Sequence, residues 1–268
     1  MIIVELHQLV RRPRTWVSIL LLVLLPTVVA LFLHGTDVSP RPGQGTAFLA
    51  EVLNNGALFP AAALAIVLPI FLPIAVATIA GEAIAGEAAG GTLRYLLVRP
   101  VGRTRLLIAK LVAVMAYTLL AVVVVAATSY VVGVALFGQH AIATVSGTGD
   151  LKTQASVLRT VGAMLYVGWS MLGVAAVALF LSTVTDSPLA ASLGAIAVLI
   201  GSGVLQALDA ARSIQPYLPT KYWLAFIDLF RDPILWRDVE RGIALQAVYV
   251  AVFLAAAWAN FTTRDITA

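Results

Sequence analysis

The chain has 268 residues, of which 61% are hydrophobic and only 11% are charged. Soluble globular domains carry about 25% charged residues, so this composition excludes an ordinary soluble enzyme and a disordered chain and indicates an integral membrane protein. The 17 Lys and Arg against 13 Asp and Glu leave a net charge of +4, which in a membrane protein reports topology rather than nucleic-acid binding. The absence of cysteine excludes disulfides, thiolate metal clusters and thiol catalysis.

Residues 1–14 predict an amphipathic helix lying on the membrane surface. Apolar residues recur there at helical spacing, whereas Glu5, Gln8 and Arg12 share the other face. Arg11 and Arg12 belong to this interfacial helix, and Pro13 ends it before the first span. A disordered start is the alternative.

Six long apolar runs predict six membrane-spanning helices, because a span needs about 20 mainly apolar residues. The predicted spans are 15–33, 57–80, 109–137, 160–183, 188–207 and 242–261. We read the first as a retained helix rather than a signal peptide. The predicted fold is therefore an all-α integral membrane protein, with residues 1–268 forming a single transmembrane domain.

Six spans put both termini on the same side, and the charges around the first span place that side in the cytoplasm. Arg11, Arg12 and Arg14 precede this span, and the positive-inside rule gives most weight to such short flanks. We therefore expect a multi-pass protein of the cell membrane with cytoplasmic termini. The span interiors are predicted to hold no ionisable residue, which argues against proton relays and intramembrane catalysis.

Prolines and small residues mark places where spans could bend or approach one another. Pro60, Pro69 and Pro73 predict kinks in the second span. Gly194 and Gly201 each follow an alanine by four residues, which lets helix backbones come close. Kinked helices often border a transport pathway, so these five residues are candidates for lining one. Simple packing is the alternative.

The segment 209–241 combines aromatic and charged residues and is broken by Pro216, Pro219 and Pro233. Amphipathic aromatic side chains are typical of a membrane interface. The segment therefore predicts one or two short helices that dip into the outer leaflet as an extracytoplasmic re-entrant segment. A plain structured loop is the alternative.

The stretch 81–105 predicts a short helix held at the cytoplasmic face. Gly90 and Gly91 permit a sharp turn after the second span, Thr92 is a good N-cap, and Pro100 stops the helix. Such a helix is suited to docking on a partner, although a solvated loop is the alternative. The residues singled out in this stretch are Glu82, Glu87, Gly91, Thr92, Leu93, Arg94, Leu96, Leu97, Arg99, Pro100 and Arg103.

This stretch resembles the box between the second and third helices of ABC-2 type transporter permeases. The resemblance is carried by Glu87, Gly91-Thr92-Leu93, Leu96-Leu97, Pro100, Arg103 and Lys110. The amphipathic start, the six spans, the aromatic segment and the tail at 261–266 resemble the same family over nearly the whole chain. The segment 34–51 is short, whereas some members carry a large extracytoplasmic domain there.

The resemblance implies the transmembrane subunit of an ABC exporter, in which two permease chains, identical or different, work with two copies of an ATP-binding subunit. The 81–105 region would be its coupling helix. This chain has no P-loop sequence, so ATP and magnesium are expected on the partner, with no cofactor, metal or catalytic site here.

The uncharged spans predict an apolar or amphipathic cargo such as a drug, a peptide antibiotic or a lipid-linked molecule. Glu82 and Glu87 are expected to pair with Arg94, Arg103 or a basic residue of the ATPase. Membrane lipid is an expected partner and nucleic acid is not. The alternatives are an ATPase-independent channel or scaffold, and a membrane enzyme, against which the missing intramembrane histidines and carboxylates argue.

Overall fold

The described part of the chain folds almost entirely as helix, because a backbone in lipid must satisfy its hydrogen bonds within its own segment. The computed structural model describes residues 2–35, 56–91, 102–138, 142–143, 150–151 and 153–263. Its helices are α1 Ile2–Arg11, α2 Pro13–Gly35, α3 Phe59–Val67, α4 Phe71–Ala89, α5 Arg103–Phe137, α6 Thr153–Val184, α7 Pro188–Ala207 and α8 Trp236–Thr263. Two short antiparallel strands, β1 Ile142–Ala143 and β2 Asp150–Leu151, pair between α5 and α6.

Six of these helices are long and apolar enough to cross a membrane, namely α2, α4, α5, α6, α7 and α8. The prediction of an all-helical, multi-pass membrane protein is confirmed at this level. The bounds of α7 match the predicted 188–207, whereas the other helices run beyond their apolar runs. The ten-residue α1 is present as predicted and ends just before Pro13. Its place on a membrane surface stays a prediction.

The second predicted span, 57–80, is wrong as a single helix. A 3-10 turn, Gly56–Leu58, leads into α3, and a turn at 68–70 separates α3 from α4. The helix α4 then continues to Ala89, nine residues beyond the predicted end. The predicted coupling region, 81–105, therefore begins inside α4.

The three prolines of this region act in different ways. Pro69 lies in the turn between α3 and α4, where a kink was predicted. Pro60 and Pro73 instead lie in the first turns of α3 and α4. A proline there removes no intrahelical hydrogen bond, so these two residues favour helix starts and do not kink a helix.

The centre of the bundle is α6, which packs against α4, α5, α7 and α8. In its most apolar stretch 67% of the residues are buried, compared with 17% in α8 and 22% in α2. The outer helices therefore leave most of their apolar side chains facing outward, as expected for helices that contact lipid. The helices α2 and α3 both pack on α5, and α4 packs on α7.

Hydrogen bonds between helix ends define one face of the bundle, which we call the N-terminal face. Arg103 at the start of α5 donates to the carbonyl oxygens of Phe261 and Thr262 at the end of α8, both at 2.9 Å. Lys110 of α5 contacts Glu5 of α1 near the same ends. The first and the last helix thus end on one side of the bundle, as an even number of spans predicts.

The segment between α7 and α8 folds back along α6 and α8. The Nε2 atom of Gln246, ten residues into α8, donates to the carbonyl oxygen of Pro219 at 2.7 Å. This contact lies about 15 Å along α8 from its first residue. Tyr166 of α6 donates its hydroxyl to the carbonyl oxygen of Tyr222 at 2.7 Å, and Phe226 is buried. The segment contains the 3-10 helices Asp209–Ala211, Gln215–Tyr217 and Trp223–Phe230.

The short helices predicted in 209–241 are thus present as 3-10 helices, although residues from 236 onward belong to α8. The last turn is held by an ion pair between Asp228 Oδ1 and Arg231 Nε at 2.9 Å. Burial raises the pKa of the Asp228 carboxyl, and the Arg231 guanidinium opposes this rise. The depth of the segment in a membrane stays a prediction.

The helix backbones come closest where glycines face each other, and these are not the glycines that the sequence singled out. A Cβ on Gly133 of α5 would lie 2.4 Å from the carbonyl oxygen of Gly56 and 2.5 Å from the Cβ of Phe59. A Cβ on Gly201 would meet no described atom within 4 Å. A Cβ on Gly194 would lie 3.1 Å from the side chain of Leu181, so among the described residues neither glycine of α7 lies against the backbone of another helix.

We expect Gly133→Ala and Gly201→Ala to change stability in opposite directions. Both replace a glycine inside a helix, where alanine is favoured by about 1 kcal/mol. At Gly133 the backbone of Gly56 cannot yield, so overpacking should cost about 1–3 kcal/mol and outweigh this gain. The midpoint of thermal unfolding in detergent should fall for Gly133→Ala and stay level or rise for Gly201→Ala. Equal midpoints for the two variants would contradict the close approach.

Candidate functional site

The charged residues of the N-terminal face are arranged around one buried lysine. Lys110 is 3% exposed although it carries an ammonium group. On α5 it lies on the stripe formed by Leu106, Leu107, Ala113 and Val114, all of which are buried. Removing an ammonium from water costs several kcal/mol unless carboxylates compensate it, so the surroundings of Lys110 must supply anions.

Two glutamates from two other helices supply this charge. Lys110 Nζ lies 2.8 Å from Oε1 of Glu5 on α1, and it also pairs with Oε1 of Glu87 on α4. The glutamate side chains are 12% and 14% exposed. We call Glu5, Lys110 and Glu87 the lysine cluster. It joins α1, α4 and α5 at the N-terminal face through largely dehydrated ion pairs, with two carboxylates for one ammonium.

The lysine cluster corrects the predicted orientation of α1. Glu5 was expected on the face turned away from the apolar stripe, but it points into the bundle together with Leu9, which is 8% exposed. Ile3 is instead 81% exposed and Val10 is 49% exposed. The requirement of Lys110 for a carboxylate accounts for this rotation of the helix. The outward apolar residues remain available to a membrane surface.

Glu82, one turn before Glu87, pairs with a different cation. Its Oε2 atom lies 2.8 Å from Nη1 of Arg14 at the start of α2. The Arg14 side chain is 73% exposed, so this pair is weaker than those of the lysine cluster. Glu82 thus pairs with Arg14 and Glu87 with Lys110, while Arg103 is bonded to the end of α8. The other expected partner within the chain, Arg94, lies outside the described residues.

A serine from the central helix holds α4 beside this cluster. Ser182 of α6 is fully buried, and its hydroxyl donates to the carbonyl oxygen of Gly81 at 2.6 Å. The Oγ atom of Ser182 also accepts hydrogen bonds from the backbone N–H groups of Ile84 and Ala85, at 3.1 and 2.9 Å. Three contacts to the α4 backbone from one side chain fix the position of Glu82 and Glu87 relative to α6.

The helix α4 ends in the turn that the glycine pair predicted. The N–H of Gly90 donates to the carbonyl oxygen of Gly86, and Gly91 has φ of 66°, a left-handed conformation that favours glycine. The chain leaves the helix here toward the predicted coupling helix. The remaining coupling candidates lie outside the described residues: Thr92, Leu93, Arg94, Leu96, Leu97, Arg99 and Pro100.

A cavity of about 630 Å³ opens at the N-terminal face beside α4, and we call it the charged cavity. Arg12 and Arg14 contribute cations to its wall, and Glu82 and Glu87 contribute carboxylates. The full lining is Arg12, Pro13, Arg14, Glu82, Gly86, Glu87, Gly90 and Pro188. In the described part of the chain no acidic or histidine side chains are grouped as a set of three that could hold a metal ion.

The five pathway candidates are not brought together. Pro60 lines an apolar cavity of about 490 Å³ between α3, α5 and α6. Pro69 is exposed and Pro73 is buried at the start of α4. Gly194 faces Leu181, and Gly201 faces open space among the described residues. These residues therefore do not form one common wall.

Sequence reasoning missed the role of Lys110, which it named only among the residues that carry the family resemblance. The available signal was the apolar stripe at three and four residues on either side of it, which places Lys110 on the buried side of a helix. Gln246 was also missed. It is a polar side chain inside an apolar run, and it is 1% exposed. Such residues in a span usually face the protein interior.

Comparison with known proteins gives the family. The chain belongs to the DUF2705 family, whose description is a protein of unknown function, and the family model matches residues 20–267. No curated protein matches the chain. The matched residues include nearly all of the six candidate spans, so the family relationship extends over the whole transmembrane domain.

We expect Lys110→Met to lower the stability of the protein by about 3–5 kcal/mol, because it removes the ammonium that compensates the largely dehydrated carboxylates of Glu5 and Glu87. The exposed ion pair between Arg212 and Asp209 provides the control, and Arg212→Gln should cost less than about 1 kcal/mol. The measurement is thermal unfolding in detergent. The triple variant Glu5→Gln, Lys110→Met, Glu87→Gln should recover most of the loss. A Lys110→Met protein as stable as Arg212→Gln would contradict the cluster.

Proposed function

We propose that this chain is the membrane-spanning permease subunit of an ATP-driven ABC transporter that exports an apolar or amphipathic substrate. The observation that carries the proposal is the lysine cluster, which joins α1, α4 and α5 just before the Gly90–Gly91 turn. Beyond that turn lies the stretch that resembles a coupling helix. A partner that moves this stretch would act on α4 first.

Buried ion pairs make α1 and α5 follow α4. Breaking a buried ion pair costs about 3–5 kcal/mol. When α4 moves, we therefore expect α1 and α5 to move with it, because the alternative is to break the lysine cluster. Ser182 links α4 to α6 in the same region. A force at residues 92–102 would thus reach four helices of the domain.

The energy for this movement would come from a separate ATP-binding subunit, present in two copies and carrying the ATP and magnesium. A second permease chain, identical or different, would complete the transporter in the cell membrane, with both termini in the cytoplasm. The outward face of α7, where Ala190 and Ala197 are exposed and a Cβ on Gly201 would meet no described atom within 4 Å, is available to that second chain or to lipid.

The predicted cargo class follows from the apolar character of the cavities along the spans. The cavity beside Pro60 is lined mainly by apolar and aromatic side chains, among them Val131, Tyr130 and Met164. A charged cargo would need compensating charges there. A lipophilic drug, a peptide antibiotic or a lipid-linked molecule meets this requirement.

The first test is co-purification with a P-loop ATPase, sought among the products of the neighbouring genes. We expect a tagged chain to retain the ATPase in a one-to-one ratio after detergent extraction. A folded chain that retains no ATPase would overturn the proposal and favour the channel or scaffold. Folding is checked independently by thermal unfolding of the same sample.

The second test uses Glu87→Gln in the reconstituted complex. One carboxylate, that of Glu5, still neutralises Lys110, so the fold should persist while the link between α4 and α5 is weakened. We expect the complex to assemble but to lose most of its substrate-stimulated ATPase activity. Arg212→Gln on the opposite face should behave as wild type. Full stimulation in Glu87→Gln would exclude a coupling role for this residue.

A further inference from the structure

The start of α5 is fastened to the end of α8 by polar contacts. Arg103, the first residue of α5, donates from Nη1 to the carbonyl oxygens of Phe261 and Thr262, both at 2.9 Å. We call these three residues the Arg103 clamp. Beside it, Oγ1 of Thr104 accepts a hydrogen bond from Nε1 of Trp258 at 2.8 Å. The first two residues of α5 therefore hold the last turns of α8.

A guanidinium is well suited to the end of a helix. The last four carbonyl oxygens of a helix have no partner within it, and they lie at the negative end of its dipole. Arg103 donates to two of these oxygens at once, and such charge-assisted hydrogen bonds are stronger than those between neutral groups. Around the clamp, Phe261 belongs to one apolar cluster with Ile84 of α4 and with Leu106 and Leu107 of α5. The clamp is thus supported by packing.

The Arg103 clamp lies where the chain returns from the stretch that resembles a coupling helix. This stretch leaves α4 after Gly91 and reaches α5 through Gly102, the residue before Arg103. Its first end follows Glu87, which leads to α1 and α5 through the lysine cluster. Its second end leads to α8 through the clamp. The stretch is therefore attached to different helices at its two ends.

Farther along, α8 holds the backbone of the segment between α7 and α8. Nε2 of Gln246 donates to the carbonyl oxygen of Pro219 at 2.7 Å, and the hydroxyl of Tyr249 donates to the carbonyl oxygen of Tyr217 at 2.9 Å. These two side chains lie sixteen and thirteen residues before Thr262, which corresponds to about 24 and 20 Å along the helix. One continuous helix thus connects the clamp with this segment.

The packing of α8 leaves these polar contacts a large share in fixing its position. The helix packs mainly on α6, and in its most apolar stretch 17% of the residues are buried, the lowest share among the six candidate spans. At the N-terminal face it has one further attachment, in which Nδ2 of Asn260 donates to the carbonyl oxygen of Thr183 in α6 at 2.8 Å. A helix with one side facing outward can shift with less loss of packing than a central helix.

We propose that Arg103 is a positioning residue that makes α8 follow residues 92–102 and thereby transmits their movement to the segment between α7 and α8. The link lies within this chain, and only the source of the movement rests on the proposed function. Coupling between distant sites is carried by rigid elements with specific contacts at their ends. Here the element is α8, and its contacts are the Arg103 clamp and the hydrogen bonds of Gln246 and Tyr249.

The link is tested by hydrogen–deuterium exchange on the purified full-length chain in nanodiscs, without an ATPase. We expect Arg103→Gln to speed exchange in the last turn of α8 and also at the backbone amides of residues 217–225, because a freed helix end loosens the contacts of Gln246 and Tyr249. Arg103→Lys should restore most of the protection, since an ammonium can donate to both carbonyl oxygens. The matched control is Arg105→Gln, at an exposed arginine two residues further on, which should exchange as wild type.

The position of the effect separates a link from a local helix cap. Faster exchange confined to the last turn of α8, or no effect of Arg103→Gln, would overturn the proposal. Thermal unfolding shows whether the variant is folded. If Arg103→Gln does not fold, Trp258→Phe removes only the neighbouring hydrogen bond to Thr104 and is read in the same way, with a smaller acceleration expected at the same two places.

A second measurement follows the movement in the complex with the ATPase. The chain contains no cysteine, so spin labels can be attached at Ser213→Cys and Val131→Cys, two exposed positions, without removing native residues. A nonhydrolysable ATP analogue should change the distance between these labels, and Arg103→Gln should abolish the change while Arg105→Gln preserves it. No change without the substitution, or the same change in Arg103→Gln, would overturn the proposal. A chain that retains no ATPase contradicts the proposed function, and the exchange measurement then decides the link by itself.

Discussion

The cost of placing one ammonium group inside a helical bundle determines how the N-terminal face is built. Lys110 lies on the buried stripe of α5, where water cannot solvate it, and carboxylates must therefore come from elsewhere. Glu5 and Glu87 meet this requirement only if α1 turns inward and α4 extends past its apolar stretch. The orientation of the first helix and the length of the fourth are two consequences of the same charge.

The spans were predictable because apolar length is a strong signal that depends on no neighbour. The charged contacts were harder, since the sequence places Lys110 beside apolar residues and says nothing directly about Glu5, which is 105 residues away. The apolar residues three and four positions before and after Lys110 predict that its side chain is buried. The choice of Arg14 for Glu82 depends on how α2 packs against α4, and a single sequence does not contain that information.

The glycines also show that a single sequence does not determine which residues come into contact between helices. Spacing alone singled out Gly194 and Gly201, but the tight contact falls at Gly133 and Gly56, which lie on different helical segments and show no motif together. A small residue permits a close approach without requiring one. Which glycine is used depends on the crossing of two helices, and this crossing is set by the packing of the whole bundle.

The hydroxyl of Ser182 has a mechanical consequence. It grips the backbone of α4 at Gly81, Ile84 and Ala85 together, so a rotation of α4 about its own axis would break all three contacts at once. A joint translation of α4 and α6 breaks none. These contacts therefore favour a joint movement of α4 and α6 over a rotation of α4 alone.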